Sequence, residues 1–232
     1  MNPAPHPVAV IVEDEQQIRR FVRAALEAED WQVFEAATSR QGLVEAGTRR
    51  PDLIVLDLGL PDGDGVDYLR DLRVWSQVPV IVLSARTDEA DKIAALDAGA
   101  DDYLTKPFGV GEMMARVRVA LRRQRLAAGA DASVFAFGEV NVDFTTRRVL
   151  RGDAPVHLTP IEYRLLGVLI ANAGRVLTHR TLLRETWGPA HGDRTHYLRV
   201  YMANLRQKLE ADPARPRHLL TETGVGYRLL VD

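Results

Sequence analysis

Residues 53–63 read Leu53-Ile54-Val55-Leu56-Asp57-Leu58-Gly59-Leu60-Pro61-Asp62-Gly63, and this order decides the fold. Four consecutive apolar, β-favouring residues bounded by a Gly and Pro cluster describe a strand buried on both faces, as in a central parallel sheet. In open α/β sheets, ligands collect outside the carboxyl ends of such strands. Asp57 stands at that end, which makes it the first candidate nucleophile or metal ligand.

Working outward, comparable apolar runs recur at residues 8–12, 32–35, 78–84 and 103–106. Helical patterns fill the gaps: Ile18, Phe21, Val22, Ala25 and Leu26 recur at the spacing of one helical face, as do Met113, Met114, Val117, Ala120 and Leu121. Five alternations of strand and helix predict an α/β fold, a doubly wound five-stranded parallel sheet with right-handed crossovers. Reactive side chains follow these strands: Glu13 and Asp14, Asp57, Ser84 and Lys106. Crowded carboxylates repel unless a cation sits among them, and Mg²⁺ prefers a few carboxylate or carbonyl oxygens completed by water. With that charge in place Asp57 can attack a phosphoryl group while Lys106 and Ser84 hold its oxygens. Taken singly, Glu13-Asp14-Glu15 is a solvated helix start, Lys106 a surface lysine, Ser84 a strand-end hydroxyl and Tyr103 an amphipathic strand residue; Asp62 and Asp64 are turn formers. Their convergence at successive strand ends favours the chemical reading.

The 232 residues suit one large domain or two ordinary ones, and charge separates them. Met1 to Leu121 carries 13 Lys and Arg against 21 Asp and Glu; the remainder carries 17 against 11, with five of the six histidines. The overall net charge of −2 hides an acidic half and a basic half, and nucleic acid is the expected partner of the second. Without cysteine there are no disulfides or thiolate metal sites. No leader-like start and no apolar run near the roughly 20 residues of a membrane span are present, so a soluble cytoplasmic chain with no membrane partner is expected.

In the basic half, residues 124–134 are small and polar and read as a linker, giving expected domains at 1–123 and 135–232. Alternating stretches lie near Val140–Asp143 and Arg148–Leu150, and Thr159-Pro160-Ile161-Glu162 carries a capping box that starts a helix. A second helix is predicted over about Arg180–Trp187 and a third over about Thr195–Leu209. Residues 219–229 form a hairpin around Thr223-Gly224-Val225-Gly226. This is the α+β pattern of a winged helix-turn-helix. At 100° per residue the third helix gathers Leu198, Met202, Leu205 and Leu209 on a core arc and sets His196, Arg199, Val200, Ala203, Asn204 and Gln207 opposite. In a major groove, Val200 and Ala203 suit thymine methyl groups, Asn204 and Gln207 adenine, and Arg199 guanine or phosphate. Thr221, Thr223, Tyr227 and Arg228 of the hairpin suit phosphate or the minor groove, with Tyr227 alternatively plugging the wing against the core. His179, His191 and His218 read as loop or surface residues and Trp187 as core.

Together, Val12-Glu13-Asp14, the Asp57 strand, Ser84-Ala85 and Lys106-Pro107-Phe108 resemble the receiver domain of two-component response regulators. The resemblance implies that Asp57 accepts phosphate from the phosphohistidine of a sensor histidine kinase. It implies that Glu13, Asp14, Asp57 and the Gly59 carbonyl hold Mg²⁺, and that Ser84, Tyr103 and Lys106 are the switch hydroxyl, switch aromatic and conserved lysine. A cis bond between Lys106 and Pro107 is also implied. Leu158-Thr159-Pro160-Ile161-Glu162-Tyr163, Val176-Leu177-Thr178 and Gly224-Val225-Gly226-Tyr227-Arg228 resemble the winged-helix effector domain of the OmpR and PhoB class. Trp75-Ser76, residues 196–202 and residues 212–218 are similar to regulators of potassium-uptake ATPase genes within that class, and Tyr197 joins the expected DNA contacts. The class implies RNA polymerase as a partner and a homodimer on phosphorylation, built on the fourth helix, fifth strand and fifth helix. There Lys92, Asp97, Asp102, Glu112, Arg116 and Arg118 offer both signs to a twofold interface, although Glu112 and Arg116 also suit intrahelical pairing. The chain is then a phosphoacceptor that assists its own phosphorylation and slow hydrolysis, not a turnover enzyme. The competing readings are an aspartyl-nucleophile phosphatase, whose second Asp is replaced here by Gly59, and a phosphate-independent dimeric regulator.

Overall fold

The computed structural model describes residues 6–128, 134–188 and 195–231, the side chains of 122–128 excepted. The chain divides into two compact units between Gln124 and Arg125.

In the first unit, β1 (Val8–Val12), α1 (Gln16–Glu27), β2 (Gln32–Ala36), α2 (Ser39–Arg49) and β3 (Leu53–Leu56) precede a minimal hairpin, β4 (Gly59–Leu60) and β5 (Gly63–Asp64). There follow α3 (Gly65–Arg73), β6 (Val80–Ser84), α4 (Glu89–Asp97), β7 (Asp102–Thr105) and α5 (Val110–Ala128). The sheet runs β2-β1-β3-β6-β7, all parallel. Leu53, Ile54, Val55 and Leu56 are wholly buried, as the unbroken apolar run requires. Because the chain winds from β1 out to β2 and then back across to β3, the strand order switches between β1 and β3. Glu13 and Asp57 emerge on either side of that switch, where such sheets bind ligands.

The second unit opens with an antiparallel meander: β8 (Val134–Phe137), β9 (Val140–Asp143), β10 (Arg148–Arg151) and β11 (Ala154–Pro155). Then come α6 (Pro160–Ala171), β12 (Val176–Thr178), α7 (His179–Trp187), α8 (Thr195–Leu209), β13 (Leu219–Glu222) and β14 (Gly226–Leu229), with a sheet of order β12-β14-β13. The capping box forms in full: Thr159 Oγ1 accepts from the Glu162 amide, and the Glu162 carboxylate accepts from the Thr159 amide at 2.8 Å. Burial alone would raise the Glu162 pKa, but the Lys208 ammonium at 2.6 Å and the Thr159 amide outweigh it and lower the value. Leu165, Leu169, Leu182, Leu198, Met202, Leu205 and Leu219 close one core.

Several expectations are corrected. Residues 124–128 continue α5, so that part of the expected linker is helix; 129–133 lie outside the described residues, as does His191. β6 starts at Val80 because Pro79 has no amide to donate to the ladder. Phe21 is 43% exposed at the rim of α1, its ring 6.0 Å from that of Phe108. His218 is buried beside Phe137, with Nδ1 3.1 Å from the Leu230 carbonyl oxygen. Trp187 only borders the core, against Tyr201. β4, β5, β8, β11 and β12 have no predicted counterpart. No helix among the described residues is long and apolar enough to cross a membrane.

Candidate functional site

Three strands of the parallel sheet, β1, β3 and β7, stop just short of a site residue, and β6 ends on one, Ser84. Asp57 follows β3, its amide held by the Val12 carbonyl at 2.8 Å, and the Glu13 amide bonds to the Ala36 carbonyl. Lys106 follows β7, its amide held by the Ser84 carbonyl. These ladder bonds bring three chemistries together. Lys106 Nζ donates to Glu13 Oε2 at 2.8 Å and to Asp57 Oδ2 at 3.0 Å, and lies 3.8 Å from Glu15 Oε1. The bond from Lys106 to Pro107 is cis.

Carboxylate oxygens of Glu13, Asp14 and Asp57 all lie within 4.8 Å of one another. Glu13 is 1% exposed, and burial first, then the Asp57 charge, push its pKa up to about 7 against the opposing Lys106 bond. Lys106 is shifted upward: burial opposes its charge, but bonds to Glu13 and Asp57 win. One ammonium against this many acids leaves negative charge in excess, and every available donor is a hard oxygen. The set therefore fits a hard divalent cation. A side chain at Gly59 would start 3.7 Å from Asp57 Oδ2, so that residue borders the carboxylate as well.

Ser84 and Tyr103 complete the rim. Both are buried, at 1% and 4% exposure, and the Tyr103 hydroxyl donates to the Arg86 carbonyl at 2.8 Å. The Tyr103 ring thus lies inside, beside Ser84. Asp62 and Asp64 do more than form turns. Asp62 accepts from the Ser39 and Arg40 amides at the start of α2, which lowers its pKa, and Asp64 accepts from the Val66 amide to cap α3. The loop after Asp57 is thus pinned to two helices.

On α8 the core arc falls as expected: Leu198, Met202, Leu205 and Leu209 are buried. His196, Tyr197, Arg199, Val200, Ala203 and Gln207 are exposed and Asn204 half-buried. Tyr197, Val200 and Asn204 line a groove against Thr159, Ile161 and Glu162 at the start of α6. In the hairpin Thr221 and Thr223 are exposed, but Tyr227 and Arg228 are each 5% exposed. Tyr227 packs edge-on to His179 and under Arg206, and Arg228 donates to Glu222 at 2.9 Å. The two side chains stand on opposite faces of β14, the central strand of its sheet, and both are buried, which corrects their expected role as exposed DNA contacts; Tyr227 takes the alternative place, against the core.

Residues 9–118 match the family described as "Response regulator receiver domain", and residues 153–229 that described as "Transcriptional regulatory protein, C terminal". The KDP operon transcriptional regulatory protein KdpE of Escherichia coli strain K12 is 64% identical over 222 residues, 96% of this chain and 98% of that one. The chain is an OmpR/PhoB-type response regulator. The transcriptional regulatory protein KdpE of Mycobacterium tuberculosis strain H37Rv is 50% identical, covering 95% of this chain and 98% of that one. Among solved structures, a CheY-like response regulator receiver domain protein of Methanospirillum hungatei JF-1 is 25% identical with a TM-score of 0.50, over 52% of this chain and 98% of that one. Response regulators of this kind are generally phosphoacceptors and transcription factors, not turnover enzymes.

The regulator's expected dimer residues are partnered within the chain. Asp102 is 3% exposed and accepts from Arg116 Nη1 at 2.9 Å, while Arg116 Nη2 reaches Glu112 at 3.0 Å, the intrahelical pair. Arg118 lies 3.5 Å from Glu29, away from α4, and Lys92 sits 5.7 Å above the Tyr103 ring. Asp97 is half-buried. In the second unit, sequence reasoning missed Arg206 and Glu210 altogether. Arg206 ties α8 to β13 through the Leu219 carbonyl and Thr221 Oγ1. Glu210, 3% exposed, accepts from the amides of Arg217, His218 and Leu219. Neither belongs to a motif, and their signal lies only in the fold.

Proposed function

We propose that this response regulator controls potassium-uptake ATPase genes of the kdp type, with Asp57 accepting a phosphoryl group from a sensor histidine kinase. The observation that carries the reading is the meeting of Glu13, Asp14, Asp57 and Lys106 at adjacent strand ends. An Asp57 oxygen forms the new bond to phosphorus while the phosphorus–nitrogen bond of phosphohistidine breaks, and the departing imidazole nitrogen takes the electron pair and a proton. Lys106 Nζ, already on Asp57 Oδ2, holds the oxygen that carries charge, and Ser84 Oγ offers a hydrogen bond to another. Glu13, Asp14, Asp57 and the Gly59 carbonyl would hold Mg²⁺, which would neutralise the charge that builds on the Asp57 carboxylate and the phosphoryl oxygens.

Phosphorylation then favours a homodimer on the face of α4, β7 and α5, where Lys92, Asp97, Asp102, Glu112, Arg116 and Arg118 exchange in-chain partners for the second copy. Two winged helices read repeated half-sites in promoter DNA through His196, Arg199, Val200, Ala203 and Gln207, flanked by Tyr197 and Asn204. Thr221 and Thr223 reach the backbone, and RNA polymerase is the onward partner. Residues 1–123 form the receiver and 135–232 the DNA-binding domain of a cytoplasmic protein. The 64% identity to a KDP operon regulator supports the choice of genes. Incubation of Asp57→Asn with phosphoramidate and Mg²⁺ tests the central claim: no acid-labile phosphate is expected, and full labelling would remove Asp57 from the role.

A further inference from the structure

Arg86, in the loop between β6 and α4, contacts both Ser84 and Tyr103 and an acid from each of two flanking helix starts. Its amide donates to Ser84 Oγ at 3.2 Å, and its carbonyl accepts from the Tyr103 hydroxyl at 2.8 Å. Its guanidinium reaches Asp64 Oδ2 at 3.0 Å and Asp91 Oδ1 at 3.6 Å. The first of these acids caps α3, and the second lies in the first turn of α4. Gly65, the next residue after Asp64, is packed so closely on the Asp57 segment that an added Cβ would come within 2.5 Å of the Asp57 carbonyl oxygen. One side chain therefore joins the loop after the phosphoacceptor, the loop after the switch hydroxyl and the helix that follows it.

We propose that Arg86 is a positioning residue, a latch that keeps Ser84 and Tyr103 engaged before phosphate reaches Asp57; this rests on the phosphoacceptor reading above. The guanidinium is charged at every working pH. Its side chain and those of Asp64 and Asp91 are each about one-third exposed, at 35%, 39% and 36%. Pairs so placed shift an equilibrium by about threefold, enough to bias a two-state loop and weak enough for a phosphoryl dianion to override. A pair of this strength would be inconsequential on an open surface. Here it acts on a loop whose backbone holds both switch side chains.

The test measures the initial rate of phosphoryl uptake from phosphoramidate with Mg²⁺, together with the Tyr103 ring resonances of the unphosphorylated full chain. Arg86→Met and Asp64→Asn should each slow uptake about threefold at unchanged final labelling, Asn retaining an oxygen to cap α3. The double variant should be no slower than Arg86→Met alone, since Asp64→Asn cuts a link that Arg86→Met has already removed. Arg86→Lys should recover part of the rate, and Arg86→Met should move the Tyr103 resonances toward those of a solvent-exposed ring. Unchanged rate and resonances in Arg86→Met, or single effects that multiply in the double variant, would overturn the latch. Failure of the unmodified chain to take phosphate would instead strike the phosphoacceptor reading, and the Tyr103 resonances would still decide on Arg86.

Discussion

The phosphoacceptor pocket and the exposed face of α8 keep their chemistry in opposite places. In the pocket, Glu13, Asp57 and Ser84 are withdrawn from water, and Lys106 is bonded to both acids. On α8, His196, Arg199, Val200, Ala203 and Gln207 stand in solvent, while order comes from the four buried residues beneath. The first arrangement fixes geometry in advance and leaves a charge imbalance for a ligand to satisfy. The second fixes only the helix and lets the partner choose rotamers, so it answers to salt where the pocket answers to protons and metal.

Each site nevertheless depends on one glycine, and the largest expected effects lie there. A Cβ at Gly226 would overlap the Leu177 carbonyl oxygen, and one at Gly65 would lie 2.7 Å from Leu58 Cα beside the Asp57 carbonyl. Neither obstacle is a flexible side chain. Overpacking of this kind costs about 3 kcal/mol. Gly226→Ala is expected to lower the thermal stability of the second unit and abolish DNA retention while phosphoryl uptake persists; Gly65→Ala should destabilise the first unit and abolish phosphoryl uptake while DNA retention in the absence of phosphodonor persists. If either variant damaged both activities equally, the two sites would not be the separate devices described above.

Of intermediate size is Arg199→Ala, which removes an exposed cation from the reading face without disturbing the core arc. Binding to promoter DNA should weaken about tenfold, with the salt slope reduced by about 1 if the contact is to phosphate. Fluorescence anisotropy over a salt series measures both quantities. Unchanged affinity and slope would show that α8 is not the reader.

The pocket was far more legible in sequence than the wing, for a physical reason. Strand ends are marked by composition, so Leu53 to Leu56 announces where Asp57 must sit, and parallel topology does the rest. The four residues of the α8 core arc follow from a single periodicity. Tyr227 and Arg228 do not: their burial depends on β14 lying between β12 and β13, and the β12–β14 pairing joins segments some 50 residues apart in sequence. His218 was misread because its burial depends on Phe137, which lies in the unpredicted β8. Arg86 carried no signal at all, since its partners Asp64 and Asp91 converge only after α3 and α4 are placed.

The smallest expected effect tests whether the pocket really holds uncompensated charge. Glu13 has its pKa raised from an ordinary 4.5 to about 7, by burial first and by Asp57 second. Between those two values the folded chain binds a proton that the unfolded chain has released, so this group favours folding fully below about pH 4.5. That contribution is lost as pH rises toward 7. Without divalent metal, the melting temperature of the unmodified chain relative to Glu13→Gln should therefore fall by a few degrees between pH 5 and pH 8. Mg²⁺ should reduce that fall, because a cation held by the ionised carboxylate takes over from the proton, and its own affinity should rise over the same interval. A difference that stayed flat with pH would mean that Lys106 alone balances Glu13 and Asp57, and the contrast with the solvent-facing helix would lose its electrostatic basis.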